Sequence, residues 1–276
     1  MVSERCAICA RALWMSRLPP EIAFTKTADP MDRVGEFYFL DCVPWDVTLA
    51  LQQRLVYEVS GEVQPKMTVL FCEHPDIVTV GRSGSRAHIR YSDEELRREG
   101  LQVRWVGRGG GCVLHAPGQL CVYPILSLAR CSWSVGEYMQ RFHSGLCGGL
   151  EELGIHAQVR EGQSGVWGRS GLLAAFGAAV RNWVTSHGAF INVNPAMSRF
   201  ARVDTVAPED TPVGQKATMS CLLAERRLAV RMASVRAALV AKLAASFACT
   251  RYHIYTGHPL LRKSLGSFRE RIARAC

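Results

Sequence analysis

The segment from Arg108 to Gln119 has the residue types of a ligand-binding loop. It places a cation at Arg108, three successive glycines, an imidazole at His115 and a second turn at Pro117-Gly118 within a short stretch. Glycines lack a Cβ atom, so their N–H groups can approach a ligand closely, while Arg108 supplies a fixed charge and His115 a titratable one. A plain glycine-rich hairpin turn fits the same pattern, and the loop alone leaves both interpretations open.

Helix signals lie on both sides of this loop. Ser92 with Glu95, and Ser134 with Glu137, form capping-box patterns that begin two helices. The Ala- and Leu-rich stretch 219–248 predicts one long helix. Helical segments therefore alternate with extended ones along the chain.

Short apolar runs rich in β-branched residues predict the strands. The runs 67–72 and 77–80 flank a turn and are predicted to pair as a hairpin. We predict one α/β domain of the α+β type, in which helices flank a mixed β-sheet. Strands are expected at 36–40, 67–72, 77–80, 101–106, 119–126, 172–180, 189–193 and 251–255.

The length and composition are those of a packed globular chain. It has 276 residues, of which 48% are hydrophobic and 21% charged, enough for a sizeable core. It lacks an apolar run of about eighteen residues, so we expect no membrane span. We predict a loosely ordered N-terminal extension at 1–34, the domain at 35–256 and a basic tail at 257–276.

The cysteines indicate a reducing compartment. There are 11 of them, an odd number, scattered over predicted strands and helices, which favours free thiols and a cytoplasmic location. Cys6 and Cys9 form a CxxC pair. A structural zinc site needs four ligands and no second pair lies at a suitable spacing, so we predict no metal site.

The charge balance indicates an acidic partner. Lys and Arg number 33 against 24 Asp and Glu, which gives a net charge of +9. Nucleic acid and an acidic carrier protein both fit this charge. The basic residues do not form a dense block with interleaved aromatics, so nucleic acid is the less favoured partner.

Several separated motifs together resemble one family. In their order and spacing they are similar to the octanoyltransferases of lipoate biosynthesis, the lipoate-protein ligase B type, within the biotin and lipoate protein-ligase superfamily. The resemblance covers residues 36–223 and implies the catalytic-domain fold of that superfamily. The motifs are Glu73-His74-Pro75, Thr79-Val80-Gly81-Arg82, Arg108-Gly109-Gly110 with His115, Pro117-Gly118-Gln119, Tyr123-Pro124, Gly165-Val166-Trp167, Gly177, Trp183 to Gly188, and Asn192-Val193-Asn194.

The resemblance implies an activity, its partners and a pocket. An octanoyl group would pass from the phosphopantetheine thioester of acyl carrier protein to a lysine of a lipoyl domain, in 2-oxoacid dehydrogenase or glycine cleavage proteins. It implies no cofactor and neither nucleic acid nor membrane as partner. The substrate-binding residues it implies are Arg108, Gly109, Gly110, Gly111, Cys112, Val113, Leu114, His115, Ala175, Phe176, Gly177, Gly188, Ala189 and Phe190.

The chain departs from the family at the two reacting positions. The family uses a cysteine nucleophile and a lysine whose charge lowers the thiol pKa. Counting along the motifs places Val206 at the cysteine and Leu172 at the lysine. Val113 and Ala116 stand where the family has threonine and glycine. The paired loss replaces a charged pair by a small apolar contact, so neither charge is left unpaired.

Other residues are candidate substitutes for the missing nucleophile and base. Cys112 lies in the loop, and Cys221 follows Lys216 by five residues. A buried small side chain is the simpler interpretation of Cys112. His187 has the side chain of a base, although its motif supports the pocket in the family.

The sequence is consistent with two functions. One is an octanoyltransferase that works through a displaced nucleophile or by direct aminolysis of the thioester. The other is a non-catalytic protein that binds an acyl chain, a carrier protein or a lipoyl domain. An ATP-dependent lipoate or biotin ligase is disfavoured, because those relatives also use a lysine where this chain has Leu172.

Overall fold

The computed structural model describes residues 33–61, 66–160, 163–206 and 218–261, which form two β-sheets with helices packed on them. The predicted mixed α/β fold is confirmed, and most of the predicted extension and tail lies outside these residues. The strands are β1 (Val34–Cys42), β2 (Lys66–Glu73), β3 (Ile77–Val80), β4 (Gln102–Trp105), β5 (Cys112–His115), β6 (Gln119–Ile125), β7 (Gln158–Arg160), β8 (Gln163–Trp167), β9 (Leu172–Arg181), β10 (Val184–Asn192) and β11 (Arg251–Thr256). The helices are α1 (Trp45–Gly61), α2 (Asp93–Arg98), α3 (Leu128–Cys131), α4 (Val135–Glu152), α5 (Met197–Phe200), α6 (Leu222–Arg226) and α7 (Met232–Ser246).

The glycine loop, which consists of Arg108 and the three glycines that follow it, lies where the two sheets meet. The larger sheet has the order β11-β1-β2-β6-β10-β9-β8-β7, in which β1 runs parallel to β2 and β11 and the other pairs are antiparallel. The smaller sheet has the order β4-β3-β5. The loop joins β4 to β5, and the turn at Pro117-Gly118 then leads into β6 of the larger sheet.

The predicted hairpin of β2 and β3 is wrong. Both strands form where expected, but β2 pairs with β1 on one edge and β6 on the other. It therefore has no free edge for its neighbour in sequence. β3 instead joins the smaller sheet, parallel to β4 and antiparallel to β5.

The predicted long helix at 219–248 is also wrong, whereas both capping boxes are confirmed. Met219 is extended and bridges to Leu172. Arg227 has a φ of +58° and ends α6 in the left-handed conformation, which breaks a helix because its backbone cannot continue the right-handed turn. α7 starts only at Met232.

Helices cover both faces of the larger sheet. Successive residues of a strand point to opposite faces, and β2 shows the result. Leu70 packs with the apolar face of α1, including Leu51 and Leu55, whereas Phe71 packs with α4 and α7. The face under α1 is the one that continues to the glycine loop.

Two glycines in α4 test how closely it packs on α7. A Cβ on Gly149 would lie 2.7 Å from Leu239 Cδ2 and 3.2 Å from its Cα, whereas on Gly148 it would lie 3.6 Å from Lys242. We expect Gly149→Ala to lower the free energy of unfolding by about 1 kcal/mol through overpacking. Gly148→Ala should raise it by about 0.5–1 kcal/mol. Thermal denaturation of both variants checks this, and the same sign for both would contradict the packing.

Candidate functional site

The glycine loop packs against backbone of other segments. Gly110 has a φ of +75°, and a Cβ there would lie 2.7 Å from the carbonyl oxygen of Phe176 on β9. A Cβ on Gly111 would lie 2.5 Å from the carbonyl oxygen of Thr205. Both positions therefore require glycine because backbone meets backbone there. The loop therefore contacts both β9 and the segment that contains Thr205 and Val206.

Arg108 holds the loop together from inside. Its side chain is fully buried. Nη1 donates to the carbonyl oxygens of Gly109 (2.9 Å) and Gly111 (3.1 Å), and Nη2 donates to the carbonyl (3.0 Å) and hydroxyl (2.7 Å) oxygens of Thr79. Burial lowers the pKa of Arg108 to about 10, so the guanidinium stays charged at neutral pH. Its partners are neutral oxygens, and the charge is used to shape the loop.

A chain of buried hydrogen bonds continues from Arg108 across the two sheets. Thr79 Oγ1 lies 2.9 Å from His115 Nε2, and His115 Nδ1 lies 2.8 Å from Gln119 Oε1. Gln119 Nε2 donates to Asn192 Oδ1 at 2.9 Å. Because the amide of Gln119 offers its oxygen to the ring, we assign the His115 proton to Nδ1, and Thr79 then donates to Nε2. The Pro-Gly-Gln and Asn-Val-Asn motifs thus meet in one network.

His115 is a structural group in this arrangement. It is fully buried, both ring nitrogens have partners, and burial lowers its pKa. A neutral imidazole with both nitrogens engaged cannot accept a further proton without breaking the network. The titratable charge predicted for His115 at a ligand is therefore not offered by this geometry.

A cavity of about 330 Å³ lies beside the glycine loop. This volume is at the small end of the range for small-molecule sites. Leu172 and Val206, which are distant in sequence, both line it. The lining residues are Ser83, Gly110, Gly111, Val113, Ser164, Leu172, Ala175, Phe176, Thr205 and Val206.

A backbone hydrogen bond and a salt bridge hold Leu172 and Val206, the two residues predicted at the family's reacting positions. Leu172 N donates to the carbonyl of Thr218 at 2.9 Å, and Leu172 is almost fully buried. The segment that carries Val206 is held by Arg90, which pairs with Asp204 at 2.8 Å, among other contacts. Leu172 and the segment of Val206 are therefore both held by contacts outside the cavity.

Five of the fourteen residues predicted to bind the substrate line the cavity. Gly110, Gly111, Val113, Ala175 and Phe176 line it. The other predicted residues lie behind this surface or in the adjoining core, and their assignment to a substrate stays a prediction. They are Arg108, Gly109, Cys112, Leu114, His115, Gly177, Gly188, Ala189 and Phe190.

Of the candidate substitute groups, Cys112 and Cys221 do not line this cavity. Among its lining residues in the described part of the chain there is no cysteine, lysine, histidine or carboxylate. Cys112 alternates with Val113 and points into the core of the smaller sheet, where its thiol donates to the carbonyl of Ser85 and burial raises its pKa. Cys221 is buried outside the cavity, and Lys216 lies outside the described residues.

Three hydroxyl groups at the cavity are not predicted by the sequence analysis. Ser83, Ser164 and Thr205 line it, and they are the only side chains among its described residues that can donate a hydrogen bond. Each directly follows or precedes a recognised motif, at Gly81-Arg82, at Gly165-Val166 and at the position before Val206. Proximity to motifs was the available signal, but serine next to glycine is too common in turns to be singled out.

His187 has an unusual backbone and points to a different space. Its φ is +54°, which costs a non-glycine residue about 1–2 kcal/mol. Alternation on β10 would place it with Ala189 in the α4 and α7 core. The left-handed backbone instead lets the imidazole stack on Trp45, with ring centroids 6.0 Å apart and an interplanar angle of 19°. Gln52 Oε1 accepts from its backbone N–H at 2.7 Å.

A larger groove of about 1,090 Å³ opens on the far side of His187. It runs between α1 and the β9–β10 turn, next to the segment that leads from β4 to the glycine loop. Its lining includes Gln52, Tyr57, Trp105, Val106, Ala179, Val180, Arg181, Ser186 and His187. His187 therefore contacts the interior through Trp45 and the outside through this groove.

The described ranges of the chain contain neither a metal-ligand cluster nor a candidate membrane-spanning helix. No group of three or more His, Cys, Asp or Glu side chains there is arranged to hold a metal ion. None of the helices in this part of the chain combines the length and apolar character that a membrane crossing requires.

The fold is that of the lipoate ligases. A bipartite lipoate protein ligase from Thermoplasma acidophilum superposes with a TM-score of 0.64 at 16% identity, covering 82% of this chain and 88% of that one. Lipoate-protein ligase A bound with ATP gives 0.65 at 16% identity, covering 82% and 90%. The sequence pattern of the lipoyl protein ligase A/B catalytic domain matches residues 45–244, and the chain belongs to this family.

Relatives with higher sequence identity to this chain are named octanoyltransferases. An octanoyltransferase of Syntrophotalea carbinolica is 37% identical over 164 residues, which is 59% of this chain and 74% of the relative. An octanoyltransferase of Syntrophobacter fumaroxidans is 38% identical over 154 residues, 56% of this chain and 67% of the relative. These findings confirm the family resemblance inferred from the motifs.

The hydroxyl of Thr79 is expected to be essential to the buried network. Thr79→Val removes one of the two acceptors of Arg108 Nη2 and the donor to His115, and we expect it to lower the free energy of unfolding by about 2–3 kcal/mol. Thr79→Ser keeps the hydroxyl and serves as the matched control. Urea denaturation measures both, and an equal loss in the two variants would show that the hydroxyl contributes nothing.

The buried imidazole of His187 is expected to make stability depend on pH. Burial lowers its pKa from 6.5 to about 4, so between these values the unfolded chain binds a proton that the folded chain does not. Stability is full above pH 6.5 and falls as the pH drops towards 4. Protonation of His187 in the unfolded chain lowers the free energy of unfolding by up to about 2 kcal/mol between pH 7 and pH 5.

The variant His187→Asn isolates this effect, since asparagine tolerates the left-handed backbone and does not titrate. The free energy of unfolding is measured for both proteins at pH 7 and pH 5. The variant should lose less stability than the wild type, with the remainder due to groups such as His115. Equal losses would mean that His187 is not held neutral by burial.

Proposed function

We propose that this chain is an octanoyltransferase of lipoate biosynthesis that binds the octanoyl group in the 330 Å³ cavity. The observation that carries the proposal is the convergence of motif residues from separate segments on this one cavity. Val113, Ala175 and Phe176 offer an apolar surface, and the positions of the family's reacting groups, Leu172 and Val206, line the same space. Relatives named octanoyltransferase share more than a third of their aligned residues with this chain.

The proposed donor is octanoyl acyl carrier protein. The proposed acceptor is a lysine of a lipoyl domain from a 2-oxoacid dehydrogenase or glycine cleavage protein, and the proposed location is the cytoplasm. The net charge of +9 supports an acidic protein partner, because opposite charges speed the encounter. Free thiols at all eight cysteines of the described residues are compatible with a reducing compartment.

The transfer is proposed to proceed by direct aminolysis. The neutral lysine amine attacks the thioester carbonyl carbon, and the new C–N bond forms as the C–S bond breaks. The electron pair of that bond leaves with sulfur, and the proton released from nitrogen ends on the thiolate. Holding amine and thioester together supplies much of the acceleration. Hydroxyls at Ser83, Ser164 and Thr205 are suited to donate to the developing oxyanion.

A transfer assay tests this proposal. Purified protein is incubated with octanoyl acyl carrier protein and a lipoyl domain, and the mass of each protein is followed. We expect the lipoyl domain to gain one octanoyl group while this chain gains none, since no cysteine or lysine is among the described residues that line its cavity. No gain on the lipoyl domain above a reaction without enzyme would contradict transfer.

Two variants on one strand face locate the acyl site. Ala175→Leu would fill the cavity and should lower the transfer rate about tenfold or more, the equivalent of at least 1.4 kcal/mol. Ala179→Leu lies on the same side of β9 but lines the larger groove, and it should leave the rate close to wild type. Equal effects would place the acyl group elsewhere.

A second candidate function is acyl binding without transfer. Leu172 and Val206 favour it, because neither side chain can attack a carbonyl or stabilise a thiolate. If the wild type binds octanoyl carrier protein but shows no transfer, the paired variant Leu172→Lys with Val206→Cys is expected to create activity together with an acyl-enzyme mass. Each single variant is the control, since the family chemistry needs both groups.

A further inference from the structure

The segment that joins α6 to α7 presents arginines and leucines to solvent. From Thr218 to Ala248 the sequence has four arginines and one lysine but a single carboxylate, Glu225. Leu223 and Leu228 are 42% and 63% exposed. We call the exposed set the α6 patch, which consists of Arg169, Leu223, Arg226, Arg227, Leu228 and Arg231.

The carboxylate of Glu225 is turned into the protein. The residue is buried, and its oxygens accept from the backbone N–H groups of Arg169 (3.1 Å) and Ser170 (2.7 Å). Nε of Arg169 lies 3.2 Å from the same carboxylate, although the Arg169 side chain as a whole is 84% exposed. The negative charge of this segment is therefore used inside the fold, on two backbone amides and one nitrogen of Arg169.

The other arginines of the patch have no such partner. Within the described residues, no carboxylate forms a salt bridge with Arg226, Arg227 or Arg231. Exposed arginines elsewhere differ, since Arg86 pairs with Asp93. Unpaired cations gathered on one surface attract an acidic surface and speed its approach. Charge complementarity therefore favours an acidic partner for the α6 patch.

Two leucines lie among these arginines. Leu223 is one helical turn before Arg227, whose N–H donates to the Leu223 carbonyl at 2.9 Å, and Leu228 follows directly. One exposed leucine is ordinary on a protein surface. An apolar centre with a polar or charged rim is the composition of a protein–protein interface. The patch thus has an apolar contact to offer in addition to its charge.

The patch adjoins the cavity through the turn between β8 and β9. Glu225 of α6 binds this turn at Arg169 and Ser170, and Leu172, where β9 begins, lines the cavity. Leu172 follows Arg169 by three residues, so their Cα atoms lie at most about 11 Å apart. The described residues that line the cavity include no member of the patch. A partner seated on the patch would therefore lie beside the cavity and need a long reach into it.

This position distinguishes the two partners of the proposed transfer. The donor carries its octanoyl group at the end of a phosphopantetheine arm, whereas the acceptor offers a lysine side chain, which is much shorter. An acceptor lysine must come directly over the cavity, while the donor protein can dock to one side of it. A patch beside the cavity therefore suits the donor.

We propose that the α6 patch is the docking surface for the octanoyl donor, acyl carrier protein. The inference rests on the proposed function, because that function supplies the partner. The arginines contact acidic side chains of the carrier protein, and the two leucines contact apolar side chains between them. The lipoyl domain docks elsewhere and leaves the patch free.

Binding measurements test this surface without relying on turnover. The probe is acyl carrier protein whose octanoyl group is attached as an amide, and its affinity is measured by calorimetry at low ionic strength. The paired variant Arg226→Glu with Arg227→Glu should weaken binding about tenfold or more, because it turns attraction into repulsion. Added salt should weaken binding to the wild type, and it should affect the variant less.

A matched pair of arginines controls for net charge. Arg97 and Arg98 are also adjacent, exposed and at the end of a short helix, α2. Arg97→Glu with Arg98→Glu changes the net charge equally and should keep the affinity within about twofold of wild type. Arg231→Glu lies outside α6 and should weaken binding in the same direction even if the paired patch variant fails to fold.

Transfer from octanoyl-pantetheine separates this inference from the function on which it rests. This small thioester lacks the carrier protein, so the patch variants should transfer its octanoyl group to a lipoyl domain at the wild-type rate. If they do, but the carrier protein binds wild type and patch variants equally, the function stands and the surface is overturned.

The remaining outcomes also decide. If the patch variants lose affinity for the lipoyl domain and not for the carrier protein, the patch serves the acceptor and the inference is wrong. If the wild type neither binds the carrier protein nor transfers from the small thioester, the function and the inference both fail. Loss of carrier binding in the patch variants but not in the α2 control supports the inference.

Discussion

The buried guanidinium of Arg108 is the interaction on which the rest of the site depends. A charge removed from water is costly unless hydrogen bonds replace its hydration. Here the replacements are carbonyl oxygens of the glycine loop together with both oxygens of Thr79. The loop must curl around the cation to supply them, and this requirement explains why glycines follow Arg108 in the sequence. The cation shapes the site without facing it.

The same constraint links the two sheets. Thr79 belongs to the smaller sheet, and through His115 it connects to Gln119 and Asn192 of the larger one. A buried network of this kind is favourable only when each member has its partners. The position of the cavity between the sheets follows, because the loop that Arg108 shapes also contacts Phe176 and Thr205.

The sequence predicts that binding and chemistry have separated in this chain. Motif residues surround the cavity, and Val206 and Leu172, which are predicted to stand at the nucleophile and its charged partner, line it as well. By that prediction, an apolar pair avoids the cost of leaving one buried charge unpaired.

The sequence by itself determined the fold class, the two capping boxes and the importance of the glycine loop, because these follow from local propensities and from residue types that few conformations tolerate. It also predicts that Leu172 and Val206 stand at the family's lysine and cysteine positions. Only the tertiary structure decided that Arg108 and His115 are buried partners of a network and that β3 leaves β2 for another sheet. The reason is physical: hydrogen-bond partners and free strand edges are supplied by segments far away in the chain, and no local pattern records them.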